Sequence, residues 1–110
     1  MKKNEKVKNF EQKILTYEKI GAKIRLFKKL NLMIGGGYMT FNYDKLRGRI
    51  VEKYGTQGRL AKELGVSERT LSLKLNNKIF FTQDEIARMS MLLNINLERI
   101  QYLFFEQKVQ

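Results

Sequence analysis

The chain contains no cysteine, no histidine and no proline. Without cysteine there is no disulfide, no thiolate nucleophile and no cysteine-ligated zinc. Without histidine the commonest general base and the commonest metal ligand are missing. Without proline nothing interrupts long helices. Long apolar runs are missing too: no segment approaches the roughly 18 apolar residues of a membrane span. The lysine-rich start is not followed by the apolar stretch of a secretory signal. The stretch "IGGGY" lacks the Lys and Ser/Thr of a phosphate-binding loop. The pair Asp84–Glu85 falls in the first turn of an expected helix, where acids serve the helix dipole. These absences lead to the expectation of a cytoplasmic protein that is not an enzyme. No metal, cofactor, small-molecule ligand or membrane is expected.

What is abundant is positive charge. Twenty-two Lys and Arg stand against 11 Asp and Glu, a net charge of +11 over 110 residues. A short chain this basic usually meets something anionic, nucleic acid or a membrane surface. The chain divides near "IGGGYMT", residues 34–40, since three consecutive glycines suit neither helix nor strand. Residues 1–38 carry ten basic and three acidic side chains, an excess of seven; residues 39–110 carry twelve and eight, an excess of four.

Val7, Phe10, Ile14, Tyr17 and Ile24 give residues 1–38 a helical rhythm, so this is a basic extension, helical or disordered. Three readings stand: an amphipathic helix for a membrane or partner, an extra helix on the domain, or a segment foreign to the native protein. The third arises because an isoleucine codon ending in A, followed by glycine codons, can spell a ribosome-binding site just before Met39.

Residues 39–110 read as an all-α domain of five helices. Asn42 is the expected N-cap of the first, with Tyr43, Leu46, Ile50, Val51 and Tyr54 on one face and Gly55 closing it. Thr56 caps the second, which buries Leu60, Ala61 and Leu64. Ser67 caps the third, with Leu71 and Leu75 inward. Thr82 and Glu85 form a capping box for the fourth, whose apolar face is Ile86, Met89, Leu92 and Leu93. Asn96 caps the fifth, with Leu97, Ile100, Leu103 and Phe104 inward.

Between the second and third helices stands a lone Gly65. Two helices joined by a three-residue turn with Gly are the helix–turn–helix arrangement. Its second helix is narrow enough for a major groove roughly 12 Å wide. Gln57, Leu60–Ala61, Gly65, Val66–Ser67, Thr70–Leu71 and Leu75–Asn76 hold a fixed register. On these residues the segment 56–77 resembles the helix–turn–helix of the phage lambda repressor and Cro-type family. Residues 40–107 resemble the short Cro-like regulators of phages and prophages in Gram-positive bacteria. The resemblance implies a five-helix, lambda-repressor-like transcriptional regulator, most simply a repressor, that binds double-stranded operator DNA as a dimer. One departure is Lys74, at a position commonly apolar in that family.

The resemblance implies that Gln57 contacts the DNA backbone. The recognition helix is expected to expose Ser67, Glu68, Arg69, Thr70, Ser72, Leu73, Asn76 and Asn77. Arg69 is the best candidate for reading a base, because its two parallel donors match guanine, worth roughly 1–3 kcal/mol of discrimination. Glu68 repels phosphate unless it meets a cytosine amino group or orients Arg69; equally, it is a helix-start charge. Leu73 touches a thymine methyl or packs inward. Thr70, Lys74, Asn77 and Lys78 are within reach of phosphates, and Arg47, Arg49, Lys53 and Arg59 add to a basic surface or are simply solvated.

At the end of the chain, Tyr102, Leu103, Phe104 and Phe105 are consecutive. One helix face cannot bury four neighbours, so an exposed remainder is expected to support a homodimer. Two other functions remain open: a protein-interaction module built on the same fold, and the DNA-binding antitoxin of a toxin–antitoxin pair.

Overall fold

Apolar side chains recurring every three or four residues wind the chain into helices. The computed structural model describes residues 15, 17–30 and 40–108, with Leu97 described for its backbone alone. The glycine run at 35–37, the rhythm of Val7, Phe10 and Ile14, and the Leu97 side chain lie outside the described residues. The chain forms two compact units, Met1–Gly37 and Tyr38–Gln110. In the first, residues 17–30 form helix α1. The second holds α2 (Asp44–Tyr54), α3 (Gln57–Leu64), α4 (Glu68–Leu75) and α5 (Gln83–Leu92), then a 3-10 turn (Leu97–Arg99) and α6 (Ile100–Phe104). The fold is all-α, as the periodicity predicts.

The core of the second unit is built from Leu46, Ile50, Leu60, Leu64, Leu71, Ile86, Met89, Leu93 and Phe104, all essentially without solvent contact. Aromatic rings extend it. Phe81 packs edge-on against Tyr43 at 5.4 Å and against Phe104 at 5.7 Å between centroids. Burial raises the Tyr43 phenol well above its ordinary pKa, so it stays neutral.

Local signals act close to where the sequence puts them, with three shifts. Asn42 accepts the Asp44 N–H at 2.9 Å, but the N-cap position of α2 is Tyr43, one residue later. Val51, expected inward, is 61% exposed, because the stripe through Leu46 and Ile50 turns it to the opposite side. The last helix does not start at Leu97. A 3-10 turn comes first, closed by the Arg99 N–H on the Asn96 carbonyl at 2.9 Å. The Thr82–Glu85 capping box forms as read, with Thr82 Oγ1 accepting the Glu85 N–H at 3.1 Å and Glu85 Oε1 accepting the Thr82 N–H at 2.8 Å.

Arg47 and Arg49 correct the expectation of a basic surface. Both point from α2 to the carbonyl ends of other helices. Arg47 donates to the Leu75 carbonyl at 2.9 Å and Asn76 Oδ1 at 3.0 Å, closing α4. Arg49 donates to the Leu93 and Asn94 carbonyls at 2.8 and 3.2 Å, closing α5, and pairs with Glu52 at 3.0 Å. Unpaired carbonyls and a negative dipole end make these natural places for a guanidinium.

The beginning and end of the unit are tied together, which no local pattern shows. Phe41 and Gln107 form an isolated antiparallel bridge, flanked by Asn42 N–H to the Glu106 carbonyl at 2.7 Å and Lys108 N–H to the Thr40 carbonyl at 3.0 Å. Asn77 grips the same strand-like stretch. Its Oδ1 accepts the Phe41 N–H at 2.8 Å and its amide donates to the Phe41 carbonyl at 2.9 Å.

The terminal aromatic run leaves one member outside, as four neighbours on one helix face require. Leu103, Phe104 and Phe105 are all buried in the unit's own core, and only Tyr102 is exposed, at 57%. The helix stops at Phe104, so Phe105 is freed from the helical 100° step and turns back onto Phe41, with ring centroids 6.1 Å apart. The surface left for the expected homodimer is one tyrosine, with Lys45 Nζ 5.7 Å from its ring centroid.

Two substitutions test the Asn77 clasp. Asn77 holds φ at +60°. Asn77→Ala loses both bonds and strains the left-handed backbone, so it should destabilise by about 2–4 kcal/mol. Asn77→Gly should cost less, since glycine removes the strain while still losing the bonds. Urea unfolding followed by circular dichroism gives both values.

Candidate interaction surface on the helix–turn–helix

The turn that defines this surface depends on Gly65. It sits at φ +82°, ψ +22°, the left-handed region where a Cβ is disfavoured. Its N–H bonds the Ala61 and Lys62 carbonyls at 2.9 and 3.3 Å, and the Val66 N–H bonds Ala61 at 3.0 Å. This pattern ends α3 and lets the chain turn sharply into α4. Ser67 caps α4 by accepting the Thr70 N–H at 3.0 Å, and its hydroxyl also donates to Thr70 Oγ1 at 2.8 Å.

The structure sorts the residues expected to meet DNA into two groups. Gln57 opens α3 and is half-buried. Ser67, Glu68, Arg69, Asn76 and Lys78 are exposed, and Thr70, Ser72 and Leu73 are half-buried. Asn76, Asn77 and Lys74 are each tied to partners within the unit. Asn76 donates to the Ser72 carbonyl at 2.9 Å and Ser72 Oγ at 3.3 Å, while accepting from Arg47. Asn77 is held by Phe41 through both side-chain atoms, so the phosphate role expected of it is corrected.

Lys74 is the larger correction. Expected to reach phosphates, it is only 6% exposed and forms an ion pair with Glu85. Leu75 does not replace it in the core; both residues are buried together. The Lys74 ammonium needs a buried anion, and α5 supplies one whose carboxylate also serves its capping box. Burial alone would raise the Glu85 pKa. The Lys74 hydrogen bond and charge, with the Thr82 bonds, outweigh it and hold the carboxyl below its ordinary range.

Two features were missed in the sequence. Ile79 is 45% exposed and Phe80 half-buried, which makes the rim beyond α4 partly apolar. The run Ile79–Phe80–Phe81 was the available signal, because three adjacent apolar residues cannot all enter one core. The other is a close approach at Gly58, in the first turn of α3. A Cβ there would lie 3.1 Å from Glu68 Oε2 and 3.3 Å from its carboxyl carbon. The Glu68 side chain of α4 thus lies against the start of α3, a contact that glycine permits.

The Lys74–Glu85 pair makes an asymmetric prediction. Glu85→Ala leaves a buried ammonium without a partner and should destabilise by about 2–4 kcal/mol; Lys74→Met leaves the largely buried Glu85 carboxylate without its cation and should also destabilise, by less, because the Thr82 N–H still bonds that carboxylate. Glu85 also sets an acid limit. Its folded-state pKa lies below the unfolded one, so its contribution is full above the ordinary glutamate range and is lost as pH falls through the folded value. Thermal melts of wild type and Glu85→Gln across acidic pH should converge as pH falls.

Comparison with known proteins places this geometry. No curated protein matches the chain. Residues 39–107 match the family described as "Protein of unknown function (DUF739)". Among solved structures, the chain is similar to the modulator of repression (MOR) of the temperate bacteriophage TP901-1 from Lactococcus lactis. The two share 44% identity with a TM-score of 0.56, over 67% of this chain and 100% of that one. These matches overturn the assignment to the lambda repressor and Cro-type family, whose helix–turn–helix spacing the sequence shares. The chain belongs to the DUF739 family.

Proposed function

We propose that this chain is a phage-type regulatory protein that modulates repression by binding another protein, a repressor, through the α3–α4 surface. The observation that carries the reading is the internal use of the cations a DNA interface would need. Lys74 is engaged by Glu85, and Arg47 by the end of α4. What α4 and the following turn present is mixed: Arg69 and Lys78, the acid Glu68, and the partly apolar rim at Ile79. Mixed charge around apolar anchors suits a protein partner better than a phosphate backbone. The similarity to a modulator of repression supports the same direction.

The role is binding rather than catalysis, and it is exercised in the bacterial cytoplasm, where repressors act. No described helix is long and apolar enough to cross a membrane. Direct operator binding is the second reading. It is favoured by Arg69, exposed in the first turn of α4 and able to read guanine.

The test combines the full chain with the repressor behind the repression that the TP901-1 protein modulates, with and without operator DNA. The expected result is a chain–repressor complex that changes operator occupancy, while the chain alone shifts operator and scrambled duplex equally. Ile79→Asp and Arg69→Ala should each weaken the complex about ten-fold or more if they are anchors. Preferential binding of operator by the chain alone, lost in Arg69→Ala, would favour the second reading instead.

A further inference from the structure

We infer that Glu68 is a selectivity residue: its carboxylate, seated against Gly58, keeps DNA phosphate away from the first turn of α3. The first N–H groups of a helix have no carbonyl partner within it, and the dipole there favours an anion. When a helix–turn–helix docks on a duplex, its first helix crosses the backbone, and helix N-termini are common phosphate donors. In this chain that place already has an anion beside it. Glu68 begins α4, and its carboxylate lies over the first turn of α3, with Oε2 3.1 Å and Oε1 3.6 Å from where a Gly58 Cβ would stand.

Two choices of residue make the arrangement. Glycine at 58 leaves the space open; a Cβ there would make the carboxylate give way by a few tenths of an ångström, and a larger side chain by more. Glutamate at 68 supplies an anion attached to the protein. A carboxylate held on the protein within a few ångströms of an incoming phosphate repels it, most strongly at low salt. The same carboxylate attracts a cationic side chain, so a protein partner with an Arg or Lys at this point is accepted where DNA is rejected. This rests on the reading of α3–α4 as a protein-binding surface, and it names what enforces that choice.

The experiment measures binding of the full-length chain to a scrambled DNA duplex at several salt concentrations, by fluorescence anisotropy. Wild type is compared with Glu68→Gln, Glu68→Ala and Glu63→Gln. Glu63 is an exposed acid later in α3, so its variant makes the same change in net charge elsewhere. The basic leader contributes equally to all four. Circular dichroism confirms that each is folded.

Both Glu68 variants should bind duplex about ten-fold tighter at low salt and show a steeper salt dependence, while Glu63→Gln stays within about two-fold of wild type. Equal gains at 63 and 68 would reduce the effect to net charge and overturn the inference. A gain from Gln but not Ala would mean that the new amide makes the contact, and would overturn it too. No gain in either Glu68 variant would also overturn it, yet leave the repressor-binding reading standing. If wild type itself prefers operator over scrambled duplex, the repressor-binding reading fails on its own account.

Discussion

The ion pair between Lys74 and Glu85 organises much of this domain. A buried ammonium is tolerated only beside an anion, and Glu85 is the anion available. That carboxylate also accepts the Thr82 N–H that begins α5. One group therefore closes a helix start and neutralises a charge from the neighbouring helix. It links α4 to α5, while Leu71 and Leu75 turn the apolar side of α4 into the core. With leucine at 74, Glu85 would keep only its Thr82 bonds; with Glu85 absent, Lys74 would lose its buried partner.

The same logic governs the two arginines of α2. Each reaches the carbonyl end of another helix, so a single helix braces both α4 and α5. The clasp of Asn77 on Phe41 and the bridge to Gln107 then bind the two ends of the unit. In so small a domain these polar attachments matter, because the apolar core is limited. They also turn three of the domain's twelve basic side chains, Arg47, Arg49 and Lys74, toward internal partners.

This redistribution bears on function. A helix–turn–helix is a shape, and a shape does not specify its partner. The turn at Gly65 and the cap at Ser67 build the angle familiar from DNA-reading proteins. The side chains on that frame are mixed: the exposed cations Arg59, Lys62, Arg69 and Lys78, the acid Glu68 beside the first turn of α3, and a partly apolar rim beyond α4.

The sequence by itself determined the helices and their ends. Apolar spacing, the glycine at 65 and the caps at Thr56, Ser67 and Thr82 act over a few residues, so they are legible without a fold. Spacing also reported the helix–turn–helix, but could not distinguish families that share its register, because that register records packing at the turn and not what the outer face meets. Tertiary structure alone decided the fate of the charges. Lys74 and Glu85 are eleven residues apart, Arg47 and Leu75 twenty-eight, and Phe41 and Asn77 thirty-six. Whether a lysine faces solvent or a buried carboxylate depends on which helix lands beside it. That is set by the sum of packing across the core, and no local pattern contains it.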